Sequence, residues 1–401
     1  MNHNFSLHSC GLWLPVVLAL LLLTGCQNSP RQTTPNALNS GLFVDDQFGT
    51  PTAAIETPEQ IFAVPEKVVS ELRQQVLLYG DPFDRSRALL RFIFNDGSDM
   101  LEYVNSATLI ASDTLEKRQA NCLSLTILAY SLAHALGFDS RFQDVDVPEY
   151  WITRSGSSLL NGHVNLVVNP DSKFAGVGHI VYRRHSYLID FDRVPSRTKL
   201  RTTEVGRNAV ISMFYNNKAA DAIVSKNYDL AYQYLKAAIR TAPELSGNWN
   251  NLAVLYRHKQ LLAEAELVYL HSLALEPNHS NTMANLAMLY QLTGRDRQAA
   301  DLEDKVSKKR LANPFYFVML GNEAYERREA DVALRHFRQS LKLQPNTPEA
   351  LFGMARVYLL KGDLTSASRY LQSAKKYVEP GPERRRYQSK LDLLNAIAKQ
   401  V

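Results

Sequence analysis

The chain has 401 residues, of which 45 are Lys or Arg and 40 are Asp or Glu. Hydrophobic residues make up 45% and charged residues 21%, as in an ordinary globular protein, and the length predicts roughly two to three domains. The formal net charge of +5 is spread thinly, and no basic block alternates with aromatic residues, so we expect no nucleic-acid-binding role.

The amino terminus differs in composition from the rest of the chain. Residues 12–23 form an apolar run that is too short to span a membrane comfortably, and Leu-Thr-Gly-Cys stands at positions 23–26. This sequence resembles the lipobox of bacterial lipoproteins. The resemblance implies a signal peptide at 1–25, cleavage before Cys26, and a lipid on Cys26. Gln27 after the cysteine implies, by analogy, an outer membrane anchor that faces the periplasm. An uncleaved signal anchor is the alternative.

Residues 26–60 are rich in Pro, Ser, Thr, Asn and Gln. Such a composition buries too little apolar surface to offset the entropy lost on ordering, so it predicts a flexible tether between the membrane and the folded part. A short apolar patch at 41–44 is a candidate for docking on the domain.

Residues 61–205 predict a domain of the α+β class. Its first half shows helical spacing of apolar residues in three segments: 64–76, 84–94 and, more weakly, 101–111. A further helix is expected to begin at Cys122. After Gly137 the period changes to alternation, in four short strand-like segments: 141–147, 163–169, 178–182 and 187–191. We therefore expect a helical lobe followed by an antiparallel sheet.

Residues 212–381 are self-similar at about 34 residues, the period of the tetratricopeptide repeat. The second copy is the clearest, with seven residues at the spacing of that pattern: Trp249, Leu252, Ala253, Tyr256, Ala265, Tyr269 and Pro277. Five copies in matching register predict an all-α solenoid that binds a protein or peptide, and residues 382–401 predict its capping helix.

Cys122 is a candidate nucleophile. Asn121 is a good N-cap and Gly137 a good C′ residue, so Cys122 is expected to open a buried helix whose first N–H groups can hydrogen-bond a thiolate. Of the three cysteines, Cys10 leaves with the signal peptide and Cys26 is acylated, which leaves Cys122 without a disulfide partner. A lone thiol in an oxidising compartment is either buried and inert or it is used.

A thiol nucleophile needs a base and a group that orients the base. Downstream of Cys122, His163 begins one strand-like segment and Asp190 lies in another. A helix-borne Cys followed by His and Asp from a sheet resembles the transglutaminase-like superfamily over approximately residues 60–200. The resemblance implies Cys122 as the nucleophile, His163 as the general base and acid, and Asp190 as the orienting carboxylate. The Asn-Cys-Leu-Ser context is nearer to the bacterial members, which implies hydrolysis or acyl transfer at an amide bond.

Each of these residues has a structural alternative. Cys122 can be a small buried hydrophobe, His163 a strand-edge histidine with its hydrogen bonds satisfied, and Asp190 a turn residue, with Asp192 as the competing orienting group. His134 lies twelve residues along the same helix, about 18 Å from Cys122, which is too far for a base.

His179 and His185, near the same aspartates, raise the possibility of a metal site. No His-Glu-x-x-His motif or paired cysteine spacing accompanies them, so we expect neither a metal nor a cofactor.

Two functions follow from the sequence. The first is a lipid-anchored periplasmic thiol enzyme, similar to a cysteine protease or hydrolase, whose repeats recruit a protein partner. The alternative is a non-catalytic scaffold or assembly lipoprotein, in which the repeats carry the function and the transglutaminase-like site has decayed.

Overall fold

A computed structural model describes the following residues: 40–50, 54–94, 101–154, 157–169, 187–189, 201–378, 384 and 387–392. The chain divides into two units, Met1–Phe43 and Val44–Val401. The described part of the first unit contains a 3-10 turn at Ser40–Leu42, and all elements below belong to the second. The predicted signal peptide and Cys26 lie outside the described residues. Among the described helices, none combines the length and the apolar character needed to cross a membrane.

The lobe that precedes the solenoid contains five helices in its described residues: α1 (Pro58–Phe62), α2 (Glu66–Val76), α3 (Pro82–Phe94), α4 (Ala111–Lys117) and α5 (Cys122–Ala135). The prediction of a weak helix at 101–111 is wrong. Strand β1 (Glu102–Tyr103) lies there instead, in parallel pairing with β2 (Gln119–Ala120). Pairing with residues distant in the sequence overrides the local apolar spacing in this segment.

The sheet of the lobe is antiparallel, as the sequence predicts. Its strands are β3 (Asp139–Arg154), β4 (Ser157–Asn169), β5 (Tyr187–Ile189) and β6 (Thr202–Val205), in the order β5-β4-β3-β6. β3 and β4 form a long hairpin whose register shifts between Val145 and Tyr150. The edge strand β6 was not predicted, because its residues are mostly exposed and lack an apolar alternation.

Helix α5 packs on one face of this sheet. Phe142 on β3 pairs with Leu166 on β4, so both side chains lie on the same face. The ring of Tyr130 on α5 stacks on Phe142 at 4.5 Å between centroids, and the Thr126 hydroxyl donates to the Val164 carbonyl at 3.1 Å. The core of the lobe therefore lies between α5 and the face that carries Phe142 and Leu166.

The predicted solenoid is present as five helical pairs in the described residues: α6 (Arg207–Val224) with α7 (Tyr228–Thr241), α8 (Ser246–His258) with α9 (Leu262–Leu275), α10 (Ser280–Leu292) with α11 (Asp296–Arg310), α12 (Pro314–Glu326) with α13 (Ala330–Leu343), and α14 (Pro348–Leu360) with α15 (Leu364–Tyr377). The first pair begins at Arg207, a little before the predicted boundary. Tyr387 and Leu391 of the predicted capping segment are buried against Leu371 of the last pair.

The turns inside the five pairs confirm the 34-residue period. Each turn has one residue in the left-handed backbone region: Lys226, Gln260, Gly294, Arg328 and Gly362, with φ between 61° and 76°. A left-handed residue reverses the chain tightly between the two helices of a pair. Because such a residue recurs at every repeat, the geometry of the turn is a property of the repeat, although only two of the five positions hold glycine.

Phe337 shows why small residues are required where helices cross. Its fully buried ring lies between Gly321 on α12 and Gly353 on α14. A methyl group added at Gly321 would lie 2.5 Å from the ring, and one added at Gly353 would lie closer still. The two glycines therefore let the helices approach on both sides of one aromatic ring.

The part of β3 at its register shift packs on the solenoid between α11 and α12. The Arg310 guanidinium donates to the Glu149 carboxylate at 3.0 Å, and the two side chains are only 10% and 16% exposed. The Asn313 amide donates to the Glu149 carbonyl at 2.7 Å. Arg310 also lies over the rings of Trp151 and Tyr316. This buried cluster, the hairpin clamp, holds the lobe to the solenoid.

Part of the predicted tether at 26–60 also packs on the solenoid. The Glu56 carboxylate pairs with Lys218 at 3.1 Å and accepts from the Tyr234 hydroxyl at 2.7 Å. The Tyr215 hydroxyl donates to the Glu56 carbonyl at 2.7 Å. The two helices of the first pair thus hold the segment around Glu56, although its composition alone predicts a flexible tether.

The first prediction concerns the packing of Phe337. Gly353→Ala should lower the free energy of unfolding by about 1–3 kcal/mol, because the added methyl group overpacks the ring, although alanine is the better helix former by about 1 kcal/mol. Urea unfolding followed by circular dichroism measures the change. Gly247→Ala is the control, since nothing lies within 4 Å of its added methyl group and it should be neutral or slightly stabilising. Equal midpoints for the two variants would contradict the packing argument.

The second prediction concerns the hairpin clamp. Arg310→Ala should destabilise the protein by about 3 kcal/mol or more, because it leaves the Glu149 carboxylate buried without its partner. Lys308→Ala is the control on the same helix, since its ion pair with Asp304 is exposed and should contribute less than about 1 kcal/mol. Thermal unfolding of both variants compares them. An Arg310→Ala midpoint equal to that of Lys308→Ala would show that the clamp is not needed.

Candidate functional site

Cys122 lies at the first residue of α5, where the sequence predicts it. The Asn121 side chain caps the helix by accepting from the Ser124 backbone N–H at 2.9 Å, and Gly137 follows the helix with a φ of 76°. The thiol is 7% exposed and forms no disulfide. Its Sγ lies 3.9 Å from the carbonyl oxygen of Gly162. At this distance the thiol can donate a weak hydrogen bond to that carbonyl.

His163 is buried in β4, directly after Gly162, and is 4% exposed. It pairs with Val145, so strand alternation places its side chain on the same face as Asn165. Leu166 and the residues that alternate with Asn165 along β4 lie on the opposite face, which packs against α5, the helix that begins at Cys122. The structure thus brings the backbone next to His163 close to the thiol. The role of His163 as a base stays a prediction.

The remaining candidates do not complete a site in the described residues. Four of them lie outside those residues: Asp190, Asp192, His179 and His185. His134 sits near the far end of α5, where its ring stacks on Tyr130 at 5.8 Å between centroids. Within the part of the chain that the structure describes, no group of three or more His, Cys, Asp or Glu residues is placed to hold a metal. The catalytic assignment of Cys122 and Asp190 is therefore also still a prediction.

A row of side-chain amides crosses the solenoid, and the sequence analysis did not single it out. The first helices of successive pairs contact one another, α6 with α8 and α8 with α10, so they line one surface. Along it Asn285 donates to Asn250 at 2.9 Å, Asn250 to Asn251 at 3.0 Å, and Asn251 to Asn216 at 2.9 Å. We call these four residues the amide row. The sequence does carry a signal for this row, because asparagines recur in it at nearly the repeat period.

A cavity of about 340 Å³ lies between the hairpin and the solenoid. Charged and polar side chains from both parts line it, including Asp146, Glu276, His279 and Lys309. Burial lowers the pKa of His279, so its imidazole is neutral near pH 7, and its Nδ1 lies 2.5 Å from the Thr282 hydroxyl. This hydrogen bond ties His279 to the first turn of α10, which is a structural role.

Comparison with protein families identifies the repeats. Family models described as tetratricopeptide repeat match residues 246–279 and 318–382. The first match covers the pair α8–α9, and the second runs from α12 through α15. No curated protein matches the chain.

Several solved structures share the repeats at low identity. A structure of pilF from Pseudomonas aeruginosa is 17% identical, covering 47% of this chain and 91% of that chain, with a TM-score of 0.27. PilW, described as a widely conserved type IV pilus biogenesis factor, is 19% identical, covering 47% and 88%, with a TM-score of 0.27. YrrB, described as a tetratricopeptide-repeat protein with an unusual peptide-binding site, is 15% identical, covering 47% and 92%, with a TM-score of 0.24. The family models and the helical pairs together show that the second half of this chain contains tetratricopeptide repeats.

Proposed function

We propose that this chain is a protein-binding scaffold whose solenoid holds an extended segment of a partner along the amide row. The amide row is the observation that carries the proposal. Three of its residues, Asn216, Asn251 and Asn285, are only partly buried, so they line the surface while the fourth, Asn250, is buried beneath them. The tetratricopeptide-repeat matches support the same function, because such repeats present extended surfaces for other polypeptides.

The chemistry of the row suits a polypeptide backbone. An amide side chain offers both a donor and an acceptor, as each peptide unit does, and carries no net charge. Hydrogen bonds within the row fix the orientation of each amide in advance, so little side-chain entropy is lost when a partner binds. A row of this kind therefore selects an extended segment more by its backbone than by its charge.

The third prediction tests the row. Asn251→Ala together with Asn285→Ala should reduce capture of the partner about tenfold, since each lost hydrogen bond contributes about 0.5–1.5 kcal/mol. Capture from cell-envelope extract, with proteins identified and quantified by mass spectrometry, measures the change. The control is Asn208→Ala, an exposed asparagine on α6 outside the row. The scaffold proposal also requires that Cys122→Ala captures as much as wild type. Loss of capture in Cys122→Ala, with the double variant unaffected, would contradict it.

A second candidate function is the thiol enzyme implied by the transglutaminase-like resemblance, with Cys122, His163 and Asp190 in the roles given above. What favours it is the position of the thiol at the first residue of a capped helix, beside the strand of the predicted base. The burial of Cys122 favours the scaffold instead.

The fourth prediction separates the two functions. On the scaffold account, Cys122 in the folded chain should react with iodoacetamide near neutral pH at least about 100-fold more slowly than in the urea-unfolded chain, because a buried thiol is inert. Mass spectrometry of the peptide that contains Cys122 gives the rate. Fast labelling that is abolished by His163→Ala, and unchanged by His134→Ala on the same helix as the cysteine, would establish the enzyme.

The proposal also places the scaffold on a membrane through a lipid on Cys26. The lipobox-like sequence at 23–26 is its support, and the mass of the mature amino terminus tests it.

A further inference from the structure

Residues 44–50, which we call the strap, lie across the first two helical pairs of the solenoid. The strap forms one short 3-10 turn at Asp45–Gln47. The Asp45 carboxylate accepts from the Tyr232 hydroxyl at 2.7 Å and pairs with the Lys236 ammonium at 2.5 Å. The hydrogen bond from Lys236, followed by that from Tyr232, lowers the pKa of Asp45, so the carboxylate is ionised at neutral pH. One end of the strap is thus held as an anion.

Phe48 is the second anchor of the strap. Its ring stacks on Tyr232 at 4.0 Å between centroids and 6° between planes, and it lies 6.0 Å from the ring of Tyr256. The Lys259 ammonium lies 5.2 Å from the centroid of the Phe48 ring, within the range of a cation–π contact. Since Tyr232 belongs to α7 and Tyr256 to α8, the ring of Phe48 is recognised by two successive pairs.

The backbone of the strap is recognised as well. The Gly49 N–H donates to the Asp229 carboxylate at 3.0 Å. A methyl group added at Gly49 would lie 3.2 Å from the same carboxylate, so a small residue suits this close approach. The order of contacts along the strap is therefore an acid, two spacer residues, an aromatic ring and a glycine.

Burial distinguishes the strap from the surface that holds it. No residue of the strap is buried, and the Asp45 side chain is 66% exposed. Beneath the strap, Tyr232 is 4% exposed and Tyr256 is fully buried. The strap therefore covers rings of α7 and α8 while none of its own residues is buried, which is how a bound peptide lies on its receptor.

We propose that the surface formed by Asp229, Tyr232, Lys236, Tyr256 and Lys259 is a peptide-binding site, occupied by the strap in the resting chain, and that its partner is a protein segment with the sequence Asp-x-x-Phe-Gly. This proposal rests on the proposed scaffold function and names the chemistry of one partner for it. A segment with an acid three residues before an aromatic ring reproduces both anchors of the strap, and the glycine preserves the contact with Asp229.

Because the strap belongs to the same chain as its binding site, a partner must compete with it. A segment joined to its receptor by a short linker has an effective concentration of about 1 mM, so a free peptide of the same sequence competes poorly against it. Removing the anchors of the strap removes the competitor and leaves the receptor surface intact, because no strap residue belongs to the core. The strap therefore acts as a competitor that raises the affinity threshold for partners.

The fifth prediction uses a fluorescein-labelled synthetic peptide of residues 44–50 and the full-length chain. The chain with Asp45→Ala and Phe48→Ala should bind this peptide at least about tenfold more tightly than wild type does, as measured by fluorescence anisotropy. A peptide with alanine at the Phe48 position should bind at least about tenfold more weakly. Adding Lys236→Glu to the strap variant should weaken binding by a similar factor, while Lys342→Glu, on a distant pair, should leave it unchanged. Circular dichroism confirms that each variant is folded.

A peptide that binds neither chain, or binds both equally, would overturn the proposal, because the strap would then not occupy a peptide-binding site. This outcome is distinguishable from failure of the scaffold function. The scaffold test measures partner capture through Asn251 and Asn285, neither of which contacts the strap site as defined, whereas the peptide titration reports only on the surface around Tyr232.

Discussion

A pair of antiparallel helices leaves an apolar face exposed unless a neighbouring pair covers it, and this constraint organises the solenoid, Arg207–Tyr377, which is less than half of the chain. It explains why Phe337 is sandwiched between glycines of two different helices, and why a left-handed residue recurs in each turn. Because every pair meets the next in the same way, the first helices align into one surface. The amide row is a consequence of that alignment, since equivalent positions of successive repeats are brought within hydrogen-bond distance.

The solenoid holds other parts of its own chain, among them the β3–β4 hairpin and the strap. The β3–β4 hairpin is fixed by a buried ion pair surrounded by aromatic rings, a contact that is costly to break once it has formed. The strap is fixed by an exposed carboxylate and one stacked ring. The hairpin contact is buried and therefore permanent, whereas the strap contact is exposed and therefore exchangeable. Both contacts show that the outer surface of the repeats accommodates segments that lie far away in the sequence.

The sequence predicted the features that depend on short-range patterns. Asn121 and Gly137 located both ends of α5, and the 34-residue period gave the helical pairs. The alternation after Gly137 predicted an antiparallel sheet, and the structure has one. These predictions succeed because capping, helical spacing and repeat period involve residues within a few turns of one another.

Features that depend on distant contacts were missed. The segment at 101–111 has apolar residues at helical spacing, yet Glu102 and Tyr103 pair with a strand further along the chain. The strap was read as part of a flexible tether, since its composition gives no sign of a docking surface around Tyr232, about 180 residues away. The site of Cys122, His163 and Asp190 is predicted from order along the chain and stays a prediction, since Asp190 lies outside the described residues.

We propose that this protein meets its partner at the surface of the repeats and not at the thiol of the lobe. Hydrogen–deuterium exchange of the full chain with and without a captured partner tests it most directly, because protection reports where the backbone is covered. Binding of the partner should protect α6, α8 and α10 from exchange and leave exchange around Cys122 unchanged. Protection confined to the segments around Cys122 and His163 would contradict it.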